Sequence, residues 1–66
     1  MEIILNGKEY HLSEAASIAG LLKELKQEPG RVVVELNSVI IQREQYQSAS
    51  IKDGDKVEIV RLVGGG

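Results

Sequence analysis

The chain has no cysteine, no phenylalanine and no tryptophan among its 66 residues, and only one proline, one histidine and two tyrosines. Without cysteine there is no disulfide to staple a small fold and no thiolate to hold a metal. The one histidine, His11, has no ligand-like cluster around it in the sequence and reads as a solvated or strand-edge residue, so no metal site is expected. Eight Lys and Arg against ten Asp and Glu leave a net charge of −2. The cations (Lys8, Lys23, Lys26, Arg31, Arg43, Lys52, Lys56, Arg61) are scattered, with no basic stripe to displace counterions from a nucleic acid. No apolar run approaches the roughly 20 residues of a membrane-spanning helix, and Ile3-Ile4-Leu5 is too short for a secretion signal. A cytoplasmic protein is the expectation that follows. A chain this short buries only about 60% of the surface its unfolded form exposes. That leaves little room for a catalytic pocket, and no nucleophile–base pair is visible.

What is present is a hydrophobic content of 42%, drawn almost entirely from Leu, Ile, Val and Ala. Glu2-Ile3-Ile4-Leu5 and Lys8-Glu9-Tyr10-His11-Leu12 are two β-prone runs separated by Asn6-Gly7, the pair that favours a type I′ hairpin turn. A small-residue connection follows over 13–16. Ile18, Leu21, Leu22 and Leu25 then recur at i, i+3, i+4 and i+7, which predicts an amphipathic helix with Ser17 as its N-cap. Lys26 suits the carboxyl end of that helix, and Pro29-Gly30 is expected to end it. Val32 to Leu36 predicts a third strand, Asn37-Ser38 a turn, and Val39-Ile40-Ile41 a fourth strand. The polar stretch 42–50 predicts irregular chain with one helical turn around Arg43 to Tyr46. Asp53-Gly54-Asp55 makes a turn before a last strand, Lys56 to Val63.

The order β-β-α-β-β-β contains a single helix, which can cover only one face of a sheet. The predicted fold is therefore α+β: a mixed sheet with one amphipathic helix packed on one face, the first and last strands parallel neighbours, as in a ubiquitin-like β-grasp. Alternation sends Ile3, Leu5, Val32, Val34, Leu36, Val57 and Ile59 toward the helix. It sends Ile4, Val33, Glu35, Glu58, Val60 and Leu62 to the uncovered face. Scattered exposed aliphatics are ordinary, whereas contiguous ones tend to mark interaction sites. Ile4, Val33, Val60 and Leu62 are thus candidate partner-binding residues.

The last strand leads into Gly64-Gly65-Gly66. Residues 1–63 are expected to form the domain and 64–66 a flexible tail. Terminal glycines are often no more than a frayed end. The functional alternative is an arm without side chains that threads a narrow channel and presents the Gly66 carboxylate to another protein's active site. An α-carboxylate has a pKa near ~3.5, so at neutral pH it is an anion and a poor electrophile that needs activation.

Taken together, Glu35-Leu36-Asn37-Ser38-Val39-Ile40-Ile41-Gln42-Arg43-Glu44-Gln45-Tyr46, then Asp53-Gly54-Asp55-Lys56-Val57-Glu58, then Gly65-Gly66 resemble the ThiS family, the sulfur carriers of thiamine biosynthesis. In that family a strand ends in Asn, a short apolar stretch follows, and an Arg-Glu-x-aromatic element comes next. Three positions depart from the pattern. Gln42 stands where proline is common, Tyr46 where tryptophan is frequent, and Gly64 adds a third glycine. The resemblance implies a carrier, not an enzyme, with no cofactor of its own. A ubiquitin-activating-type (ThiF-like) adenylyltransferase would use ATP to adenylate Gly66, with Gly64 and Gly65 giving access. A cysteine desulfurase would be the indirect sulfur source for a terminal thiocarboxylate, and a (ThiG-like) thiazole synthase would consume it. Arg43 and Tyr46 are candidate partner contacts on this reading; structurally, Arg43 is a surface cation and Tyr46 a half-buried cover for the 42–50 loop. The small subunit of molybdopterin synthase, with the same terminal chemistry, and a passive ubiquitin-like binding module remain alternatives.

Overall fold

A computed structural model describes residues 1–13 and 16–63. Glu14 and Ala15, in the expected 13–16 connection, and Gly64, Gly65 and Gly66 lie outside the described residues, and with them the expectations for the tail. The described strands are β1 (Glu2–Leu5), β2 (Lys8–His11), β3 (Val32–Leu36), β4 (Val39–Ile41) and β5 (Lys56–Arg61). The helix α1 (Ile18–Glu24) lies between β2 and β3, and short 3₁₀ turns occupy Pro29–Arg31 and Arg43–Gln45. The strands form one sheet in the order β2-β1-β5-β3-β4, with β5 parallel to β1 and antiparallel to β3. This is the mixed sheet and parallel first–last pairing that the element order predicts.

Both hairpins turn through left-handed backbone. Asn6 (φ 50°) and Gly7 (φ 82°) close β1–β2 as a two-residue turn, and Asn37 (φ 52°) and Ser38 (φ 71°) close β3–β4. The first pair suits a type I′ geometry; in the second, Ser38 carries a Cβ into a region that glycine enters without steric cost.

The amino end of α1 is fully tied. Ser17 Oγ accepts from the Gly20 N–H at 3.1 Å, while the Ile18 and Ala19 N–H groups donate to the carbonyls of Ala49 and Tyr46. The helix thereby uses the irregular 46–51 segment to satisfy donors that would otherwise be orphaned. At the other end the structure corrects the sequence reading, because Pro29-Gly30 does not end the helix. Lys26 turns left-handed (φ 59°), its N–H donates to Lys23 O and the Gln27 N–H donates to Leu22 O. These are the two bonds of a Schellman motif, formed with lysine where glycine is usual. Pro29 instead opens a separate 3₁₀ turn.

The core is Ile3, Ile18, Leu21, Leu22, Val32, Val34 and Val57, joined by Leu12, Tyr46 and Ile51. Leu5, Leu25, Leu36 and Ile59 pack against it half-buried. All seven strand residues assigned to the helix side by alternation lie there. Each buried aliphatic side chain contributes roughly 1.5–3 kcal/mol, which offsets the absence of large aromatics. One polar clamp crosses from the sheet edge to the helix: Tyr10 Oη donates to Glu24 Oε2 at 2.8 Å, and Ser13 Oγ donates to Glu24 Oε1 at 3.0 Å. The bond to Glu24 raises the Tyr10 phenol above its ordinary value of 10.0, with burial and the carboxylate's charge adding to it.

Two outcomes follow for stability. Ser38→Gly and Lys26→Gly, each relieving a side chain at positive φ, are expected to stabilise the chain by about 0.5–1 kcal/mol in urea denaturation. Because the folded state holds the Tyr10 proton more tightly than the unfolded state, its contribution is complete below the unfolded value near 10 and is lost as pH rises through the folded value. Tyr10→Phe should therefore lower stability at neutral pH and flatten the alkaline loss, measured as melting temperature against pH.

Candidate docking face and tail root

The face of the sheet away from α1 is built by alternation and strand register. Val33 stands directly opposite Val60, and Glu35 opposite both Glu58 on β5 and Ile40 on β4. Val60, Ile40 and Leu62 are each more than half exposed, at 56%, 56% and 55%. Val33 is half-buried. Val33 and Val60 thus border a rung of two glutamates on one side and Ile40 borders it on another, with Leu62 one step beyond Val60 where β5 finishes. Ile40 was not among the sequence-derived candidates, although its position across from Glu35 gives it the same face.

Ile4 is placed differently. It shares the face, but its partners in register are Lys56 on β5 and Glu9 on β2. Val60 lies four residues further along β5, about 13 Å away at the rise of a strand. The apolar clustering expected from the sequence therefore holds for Val33, Val60 and Leu62 but not for Ile4, which charged side chains separate from them.

Arg43 and Tyr46 part company. Tyr46 is only 4% exposed, its ring in the core and its hydroxyl directed toward the Val32 carbonyl at a long 3.5 Å. It reaches a partner only through the loop it anchors. Its backbone carbonyl also caps α1 through Ala19. Arg43 is exposed, and its guanidinium lies across Gly30, where an added Cβ would sit 3.3 Å from Nη1. The 3₁₀ turn that carries it is held by a reciprocal capping box between Gln42 and Gln45. Val33, Ile40 and Arg43 line one open depression of about 230 Å³, which brings the cation to the margin of the aliphatic group.

The root of the tail is fixed by the sheet. β5 ends at Arg61, and the Leu62 N–H donates to the Arg31 carbonyl at 2.8 Å, holding the chain two residues before the first glycine of the tail. Another depression of about 300 Å³, lined by Leu5, Asn6, Leu25, Gln27, Ile59 and Arg61, contains no acid–base pair. Among the described residues no group of His, Cys, Asp or Glu is arranged to hold a metal, and no helix is long and apolar enough to cross a membrane.

A five-stranded mixed sheet with one helix on one face, its last strand central and leading into glycines, defines the class as a ubiquitin-like β-grasp domain. The ThiS family model matches residues 3–66, and the chain belongs to the ThiS family. It is 40% identical to the sulfur carrier protein ThiS of Bacillus subtilis over 63 residues, which cover 94% of this chain and 96% of that protein. A crystal structure of the thiamine biosynthesis protein ThiS from Geobacter metallireducens superposes with a TM-score of 0.85 at 36% identity, each chain covered in full. The whole chain is also 38% identical to part of a thiazole synthase from Paramagnetospirillum magneticum, of which it spans 20%. ThiS-like carriers are not themselves enzymes.

Val60→Asp is expected to leave the melting temperature within a few degrees of wild type, because the residue is exposed and outside the core, and to weaken binding to an activating adenylyltransferase by at least about tenfold. Ile4→Asp, apart from the aliphatic group, should weaken it less. Calorimetric titration of both variants tests the division.

Proposed function

We propose that the chain carries sulfur for thiazole formation in thiamine biosynthesis, with the Gly66 carboxylate as the reacting group. The observation that supports this most is the position of β5. It is the central strand, paired on both sides, it ends at Arg61 beside the exposed aliphatic residues Val60 and Leu62, and the Leu62 N–H bond to Arg31 holds the chain two residues before Gly64.

The carboxylate oxygen attacks the α-phosphorus of ATP in a ThiF-like adenylyltransferase of the ubiquitin-activating type, releasing pyrophosphate and leaving an acyl-adenylate. That enzyme supplies the magnesium and cations which neutralise the developing charge. The terminal sulfur of a persulfide that originates on a cysteine desulfurase attacks the acyl carbon and expels AMP, giving an acyl disulfide, and a thiol reductant then cleaves the S–S bond to release the terminal thiocarboxylate. A ThiG-like thiazole synthase accepts it. Gly64 and Gly65 admit the arm to a channel too narrow for side chains. Val33, Val60 and Leu62 form the contact surface, with Ile4 at its far end and Arg43 at its margin, while Tyr46 holds the adjoining loop.

Gly65→Ala should slow adenylation strongly while leaving the melting temperature unchanged, read as ATP–pyrophosphate exchange with the adenylyltransferase. One residue added after Gly66 should abolish exchange while leaving binding intact. Exchange at the wild-type rate in the extended chain would contradict the assignment of Gly66.

A further inference from the structure

The outer face carries a charge arrangement that the carrier role alone does not require. Glu35 and Glu58 are direct cross-strand partners in an antiparallel pair, so both carboxylates leave the same face side by side. Like charges so placed destabilise a sheet. Neither side chain makes a hydrogen bond or ion pair with any other described residue. Lys56, two residues before Glu58 on the same face, makes no ion pair with either of them. Val33 and Val60 border the rung on one side, Ile40 on another and Lys56 on a third, so a protein docked on these aliphatics covers the two carboxylates.

We propose that this face selects a protein partner bearing a guanidinium on an otherwise apolar contact surface, which seats between Glu35 and Glu58, and that the partner is a thiazole synthase. Burying two adjacent carboxylates without a counter-charge is strongly unfavourable, whereas a guanidinium's planar fork of donors matches a pair of carboxylates. A second copy of this chain does not fit, because a two-fold contact through the face would bring four carboxylates together. Thiazole synthase is chosen because relatives from two organisms contain this whole domain within a protein of that name, spanning 20% of each. There carrier and synthase occupy one chain, so the two are already associated. The proposal rests on the docking-face reading above and adds to it a charge contact made with the synthase.

The test uses the full chain and a separately encoded thiazole synthase in calorimetric titrations at low and high salt, with Val60→Asp as a parallel arm. Glu35→Gln/Glu58→Gln should raise the melting temperature of the free chain, by relief of repulsion, and weaken binding by roughly tenfold or more at low salt. Its remaining affinity should depend less on salt than that of wild type. A double variant that binds as tightly as wild type, while Val60→Asp binds poorly, overturns the charge proposal and leaves the docking face standing. If Val60→Asp also binds as wild type, or wild type does not bind at all, the docking-face reading falls with it. A melting temperature that drops in the double variant contradicts the premise of repulsion.

Discussion

Two asparagines hold the last strand in place, and the rest of the architecture depends on what they hold. Asn6 and Asn37 occupy the same position in their respective hairpin turns, both in left-handed backbone, and both direct the side chain toward β5. Asn6 Oδ1 accepts from the Ile59 N–H at 2.8 Å, adding a side-chain rung where β1 turns away into its hairpin. Asn37 Oδ1 accepts from the Lys56 N–H at 2.9 Å, and its Nδ2 donates to Asp55. The parallel β1–β5 pairing is short, with Ile4 opposite Lys56 and Leu5 opposite Val57, so these added bonds matter to its register. A one-residue slip would send Val57 and Ile59 to solvent and Glu58 into the core.

With β5 fixed, the division between the two faces follows. A single short helix covers one side, and its amino-terminal donors are satisfied by Ala49 and Tyr46 in the irregular segment before β5. The amino end of the helix is therefore capped by the fold itself. What the domain supplies is a rigid uncovered face and a strand that ends beside it. The compact aliphatic core and the exposed aliphatics on the opposite side of the same sheet are separate residues, so on the proposed reading substitutions on the face alter binding without unfolding the chain.

The sequence disclosed the architecture where its signals are local and strong. Asn6-Gly7, the helical spacing of Ile18, Leu21, Leu22 and Leu25, and the alternation along β3 and β5 each have one physical reading, and the structure agrees with them. The helix end was hidden because lysine, not glycine, takes the left-handed position at residue 26. Leu12 and Ile51 gave no warning of their burial, since each is a lone aliphatic in a polar stretch that only tertiary contact brings to the core. The spread of the outer face was misjudged for a related reason. Alternation tells which side a residue faces, but the position of Ile4 relative to Val60 depends on the register between β1 and β5, which no single strand encodes. Ile40 joined the face by the same kind of long-range register.

The central claim is that the last glycine is where sulfur is carried. Intact-mass spectrometry of the full chain, incubated with ATP, magnesium, the adenylyltransferase, the desulfurase and cysteine, tests it most directly when fragment ions locate the change. The account predicts replacement of one oxygen by sulfur, confined to the C-terminal glycine and dependent on ATP. An unchanged mass with partners shown to be active on another carrier, or sulfur at any other residue, would contradict it.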